Sequence, residues 1–88
     1  MMGTVRFMAP ECFDSKPNKE IRGKRVDIWA AGITLFLLLT KEYPFVGKTL
    51  SEIRDSITNS EPPLYKIENK EIRELLGKIL EKDPEKRL

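Results

Sequence analysis

The run from Val26 to Leu39 constrains the fold most, because apart from Asp27 and Thr34 every residue in it is apolar or small, with no polar face at helical spacing. A helix of that composition is buried all round, so it belongs at the centre of whatever the remaining residues build. Crossing the hydrocarbon of a bilayer takes about 20 apolar residues. This run ends sooner, between Lys24-Arg25 and Lys41-Glu42, so the expectation is a core helix and no membrane span.

The rest of the chain reads as punctuation and amphipathic helix. From Met1 to Arg25 Gly, Pro, Asn, Lys and Asp dominate, which predicts loop with a helical turn after Pro10. Tyr43-Pro44-Phe45-Val46-Gly47 breaks the core helix. Thr49 and Glu52 have capping-box spacing, and Leu50, Ile53 and Ile57 continue it as an amphipathic helix to about Asn59. Glu61-Pro62-Pro63-Leu64-Tyr65 interrupts. After Asn69 the residues Ile72, Leu75, Leu76, Ile79 and Leu80 recur at helical spacing, and Asp83-Pro84 reads as cap and first position of a last helix in which the chain ends. No alternating run suggests a strand and no repeat is present. The predicted class is mainly α, helices joined by long loops.

Composition excludes more than it names. The 16 basic and 14 acidic residues are mixed along the chain and leave a net charge of +2, so no one-signed face points to nucleic acid or an anionic membrane. A single cysteine, Cys12, and no histidine leave no disulfide and no zinc site of known spacing. With no charged-then-apolar leader ahead of Gly3, these features predict an intracellular, cytoplasmic setting. At 88 residues a folded chain buries only roughly 60–65% of the surface its unfolded form exposes, and stability is marginal.

Four motifs occur in a fixed order: Gly3-Thr4-x-x-Phe7-Met8-Ala9-Pro10-Glu11, Asp27-Ile28-Trp29-Ala30-x-Gly32, Tyr43-Pro44-Phe45, and Asp83-Pro84-x-x-Arg87. Ala9-Pro10-Glu11 alone is a weak signal. Together, and in this order over essentially the whole chain, the motifs resemble the C-terminal lobe of eukaryotic protein kinases. Thr-x-x-Phe without the Trp and Pro pattern of tyrosine kinases is similar to the serine/threonine group, and the run Phe7-Met8-Ala9-Pro10-Glu11 with the stretch Asp27 to Leu35 is similar to calcium/calmodulin-dependent kinase kinases and related kinases acting upstream of other kinases. Residues 1–88 would then be a partial kinase domain, from the end of the activation segment to the start of the last helix of the lobe.

The resemblance assigns roles residue by residue. Thr4, Val5, Arg6 and Phe7 would help position the substrate hydroxyl and shape the pocket for the residue that follows it. Glu11 and Arg87 would form a buried ion pair tying that segment to the base of the lobe, an architectural role shared by Ala9 and Pro10. Asp27 would accept hydrogen bonds from the backbone of the catalytic loop, although a carboxylate near a helix N-terminus is also favourable by itself. Trp29 and Gly32 read as an aromatic anchor and a point of close approach. Cys12, the cluster Arg22-Lys24-Arg25 and the stripe Ile72 to Leu80 read as a free buried thiol, a solvated loop and a core-facing face.

Two departures matter. The interval from Glu11 to Asp27 is a few residues longer than in many kinases, consistent with an insertion around Asp14 to Glu20. Leu37 stands where kinases preferring basic residues ahead of the target often carry glutamate, which argues against that preference. The chain has no histidine, no Asp-Phe-Gly and no G-x-G-x-x-G, so it holds neither a catalytic residue nor a metal ligand of the family's pattern. The expectation is a parent kinase that uses ATP and Mg2+ on protein substrates through the missing N-terminal part, and an isolated chain that binds neither. A non-catalytic docking or regulatory module derived from a kinase lobe is the alternative. Without the helix and catalytic loop of the missing half, the all-apolar core helix should leave some of its surface facing water and favour aggregation.

Overall fold

The computed structural model describes residues 5–13 and 23–87. Three helices occur among the described residues: α1 (Gly23–Thr40), α2 (Leu50–Asn59) and α3 (Lys70–Ile79). Two short 3-10 turns, Pro10–Phe13 and Leu64–Lys66, accompany them. No strand occurs among the described residues, and the fold is mainly α as expected.

Helix α1 is the axis on which the other elements are placed. It packs against α3, while α2 packs against the Pro10–Phe13 turn and α3 against the Leu64–Lys66 turn. Gly32 is what lets α1 and α3 approach: a Cβ there would lie 2.4 Å from Ile79 Cγ2 and 3.1 Å from Leu80 Cδ2. Past Thr40 the chain leaves the helix through Lys41, whose φ of 64° is left-handed. Its N–H still donates to Leu37 O at 2.8 Å, the usual closure of a helix end in this conformation.

Helix α2 starts at Thr49, whose hydroxyl accepts from Glu52 N–H at 3.1 Å. The Glu52 carboxylate satisfies a second donor, but it reaches past the cap to Lys48 N–H at 2.8 Å. Gly47 permits this: a Cβ there would meet Glu52 Cβ at 2.7 Å and Ile53 N at 2.8 Å. Asn69 caps α3 by accepting from Ile72 N–H at 3.0 Å.

The core divides in two. Ala9, Trp29, Ile33, Phe45, Ile53, Ile57 and Leu80 form one cluster, with Val5, Phe7, Cys12, Phe13, Tyr43 and Ile79 packed against it. Phe36, Ile67 and Leu76 form the other, flanked by Leu35, Leu64 and Ile72. Helix α1 feeds both, yet it is not enclosed: Asp27, Ala31, Thr34, Leu38 and Leu39 are exposed, Leu38 by 63%.

Three expectations need correction. The last helix does not form among the described residues. Asp83–Lys86 is a succession of turns in which Lys86 and Arg87 N–H both donate to Asp83 O, and the Asp83 carboxylate accepts from Glu85 N–H at 2.9 Å. Second, α1 begins at Gly23, so the segment running to Arg25 is not all loop, and Arg25 is half-buried and paired with Glu85 at 2.7 Å. Third, the Cys12 thiol is half-buried rather than buried.

Candidate functional site

A guanidinium carries five N–H donors in a rigid plane, and burying them is costly unless each finds an acceptor. Arg87 is 6% exposed. Nη1 donates to Glu11 Oε2 at 2.7 Å and Arg25 O at 3.1 Å, Nη2 to Glu11 Oε1 at 3.0 Å and Lys82 O at 3.2 Å, and Nε to Glu81 O at 2.8 Å. All five donors are used. The two parallel bonds to Glu11 make a bidentate pair between residues 76 positions apart.

The Pro10–Phe13 turn holds Glu11 at that position, with Cys12 N–H donating to Ala9 O at 3.0 Å. Ala9, fully buried in the first cluster, anchors the turn from below. Burial pushes the Cys12 thiol up from its ordinary pKa, opposed in part by a hydrogen bond at Ala9 and by the Arg87 charge.

Trp29 joins the clamp to the core. Its ring stacks on Phe45 with centroids 5.8 Å apart and planes 11° apart, and the Arg87 guanidinium lies 4.9 Å from the indole centroid. Lys82 completes the arrangement, 4.6 Å from the Phe45 centroid with its ammonium donating to Ile57 O at 2.6 Å. Burial lowers the Lys82 pKa, and Glu61 and Glu81 oppose that in part. Trp29 Nε1 has no acceptor among the described residues.

Ahead of the clamp, Val5–Met8 turns back on itself, with Met8 N–H donating to Val5 O at 3.0 Å. Phe7 meets Tyr43 edge to face at 5.8 Å, and Arg6 covers the same ring from 4.7 Å. Tyr43 therefore holds two residues of the segment against the loop that follows α1. The outer side of the segment borders an open groove of about 450 Å³, lined by Val5, Met8, Phe13, Leu50, Ser51 and Arg54.

The positions singled out in the sequence thus separate. Val5 lines the groove, Arg6 and Phe7 grip Tyr43, and Ala9, Pro10, Glu11, Trp29, Gly32 and Arg87 surround the clamp or the α1–α3 contact. Thr4 lies outside the described residues, as does the Asp14 to Glu20 insertion. Asp27 stands apart, exposed on α1 with no hydrogen bond to its carboxylate among the described residues. It lies beyond the first turn of the longer helix, where the dipole contributes little. Sequence reasoning missed Lys82, Tyr43 and Arg54. Tyr43 had a signal in Tyr43-Pro44-Phe45, whereas the other two are ordinary surface-type residues in sequence.

A family model of the protein kinase domain matches residues 1–88. The chain belongs to the protein kinase family. It is 42% identical over 86 residues to the serine/threonine-protein kinase ppk34 of Schizosaccharomyces pombe, covering 98% of this chain and 24% of that protein. It is 35% identical over 86 residues to the serine/threonine-protein kinase GRIK1 of Arabidopsis thaliana, covering 98% and 21%. To the human ribosomal protein S6 kinase alpha-4 it is 40% identical over 90 residues, covering 98% and 11%. The kinase chain thus spans about a quarter or less of these relatives, and its helices are those of part of a kinase domain.

The group that kinase chemistry uses, MgATP, does not fit the residues described. Among them no three His, Cys, Asp or Glu side chains come together as metal ligands. The groove beside Val5 is walled by Met8, Phe13 and Leu50 with Ser51 and Arg54 at its edge, and among the described residues no carboxylate that could hold Mg2+ lines it. No helix among the described residues is long and apolar enough to cross a membrane.

Proposed function

We propose that this chain supplies the substrate-facing segment and the lobe scaffold of a serine/threonine protein kinase whose complete form transfers the γ-phosphate of ATP to protein hydroxyls. The Arg87–Glu11 clamp carries this reading. A segment that must present itself to another protein needs a rigid foundation, and a buried bidentate pair with every donor satisfied supplies one. Thr4, Val5, Arg6 and Phe7 position the substrate, and Val5 and Met8 receive the side chain next to the target hydroxyl. Ala9, Pro10, Glu11, Trp29, Gly32 and Arg87 serve architecture.

Asp27 on this reading faces the catalytic loop of the complete kinase. Its place in the exposed stripe with Ala31, Thr34 and Leu38 supports that, because the stripe is the side of α1 that these residues leave uncovered. Nucleotide, metal and the hydroxyl-activating aspartate belong to polypeptide other than these 88 residues. The test is phosphate transfer from labelled ATP with Mg2+ to a mixture of serine and threonine peptides. The intact natural protein transfers phosphate and the purified 88-residue chain does not; turnover by the chain alone would overturn the proposal.

A further inference from the structure

The groove has a polar edge, formed by Arg54 and Ser51. Arg54 lies one turn along α2 from Leu50 and Ser51, and all three border the cleft opposite Val5, Met8 and Phe13. Arg54 is exposed, and no ion pair among the described residues includes it. The neighbouring carboxylates are occupied: Glu52 accepts from Lys48 N–H at 2.8 Å and Asp55 from the Asn59 amide at 2.8 Å. Leu50 and Ser51 are the first residues of α2, where the Glu52 carboxylate in the first turn already offsets the positive end of the dipole, so the charge at this edge is that of Arg54. Arg6, the other cation of the segment, is stacked on Tyr43.

An apolar trough with a guanidinium at its rim that pairs with no carboxylate among the described residues favours an occupant that is apolar in the middle and negative at the edge. We propose that the groove takes an extended segment of a protein substrate in which a large apolar side chain is accompanied by an Asp or Glu one or two residues away, and that Arg54 is the specificity-determining residue. The apolar side chain enters between Val5, Met8 and Leu50, and the carboxylate meets the Arg54 fork. This inference rests on the kinase reading for its phosphorylation readout but not for its binding readout.

Three peptides differing only at the residue two beyond a leucine (Glu, Gln or Lys) test it against the intact natural protein. With the acceptor serine replaced by alanine, fluorescence anisotropy measures binding alone; with serine present, kcat/KM for phosphorylation is measured. The Glu peptide should bind about tenfold tighter than the Lys peptide, the size expected of one exposed charge contact made and one repelled. Arg54→Ala should level the three, and Arg54→Glu should reverse their order while an unchanged unfolding midpoint shows that the exposed substitution leaves the fold intact. Equal binding of the three peptides, no binding of any, or an order unmoved by Arg54→Glu would each overturn the inference. If the peptides bind in the expected order and none is phosphorylated, the kinase reading fails and the groove's selectivity stands.

Discussion

The two halves of the core are held by different physics. The first cluster, around Trp29, Phe45 and Ile57, is stapled by charge: Arg87 and Lys82 lie against its aromatic rings and tie distant carbonyls and a carboxylate together. The second, around Phe36, Ile67 and Leu76, is apolar packing edged by neutral caps, Thr40 to Phe36 O at 2.9 Å and Ile72 N–H to Asn69 at 3.0 Å, and by one charged bond from Arg73 to Ile67 O at 2.8 Å. Segments that pass near the first cluster gain fixed positions from a buried ion pair and charged donors that join residues far apart in the chain, whereas the bonds at the second are local to its own helices and turns. The groove and the Val5–Phe13 segment are built on the first.

The largest effect expected is at Arg87. Arg87→Leu should cost about 3–5 kcal/mol in urea unfolding, because it strands the Glu11 carboxylate out of water. The double variant with Glu11→Leu should lose less than Arg87→Leu alone, since no lone charge is left behind. A loss under about 1 kcal/mol for Arg87→Leu would place the clamp among ordinary surface pairs and erase the contrast. Trp29 is the only tryptophan in the chain, and its emission should shift to the red in Arg87→Leu.

Leu76→Ala probes the other half. It should cost about 2–4 kcal/mol from lost burial and the cavity left behind, while the native Trp29 emission stays in place. A red shift as large as that of Arg87→Leu would mean the two clusters respond as one. Gly32→Ala acts on the contact between α1 and α3 and should cost about 1–3 kcal/mol by forcing Ile79 and Leu80 aside; a neutral result would show that α3 slides freely on α1.

Lys82 gives the smallest effect and a definite sign. Its folded pKa lies below the unfolded value near 10.5. Between the two the unfolded chain binds more protons, so stability rises with pH through the folded pKa and the gain is complete above the unfolded one. Comparing wild type with Lys82→Met between neutral pH and pH 11, the wild type should show the extra alkaline gain. Parallel curves would remove Lys82 from the description of the first cluster.

Much of this was legible in the residues. Thr49 with Glu52, Asn69 ahead of Ile72, and the apolar run from Val26 announce helices through local capping and periodicity, and each forms near its expected place. Asp83-Pro84 misled: the carboxylate does accept a backbone N–H, but the turn it caps leads Arg87 back toward Glu11, and five side-chain bonds there outweigh helix continuation. The Glu52 carboxylate reaching Lys48 was hidden for a similar reason, since it depends on the close approach of Gly47.

By itself the sequence determined the helical class and the resemblance to the kinase family, because caps, periodicity and motif order are local or linear properties; the clamp partners followed only as what that resemblance implies. Only the tertiary structure decided that Lys82 stands against Phe45, that Tyr43 grips Arg6 and Phe7, and that Arg54 borders an apolar groove. Those facts depend on which residues distant in the chain share a surface after burial, and no spacing rule encodes that.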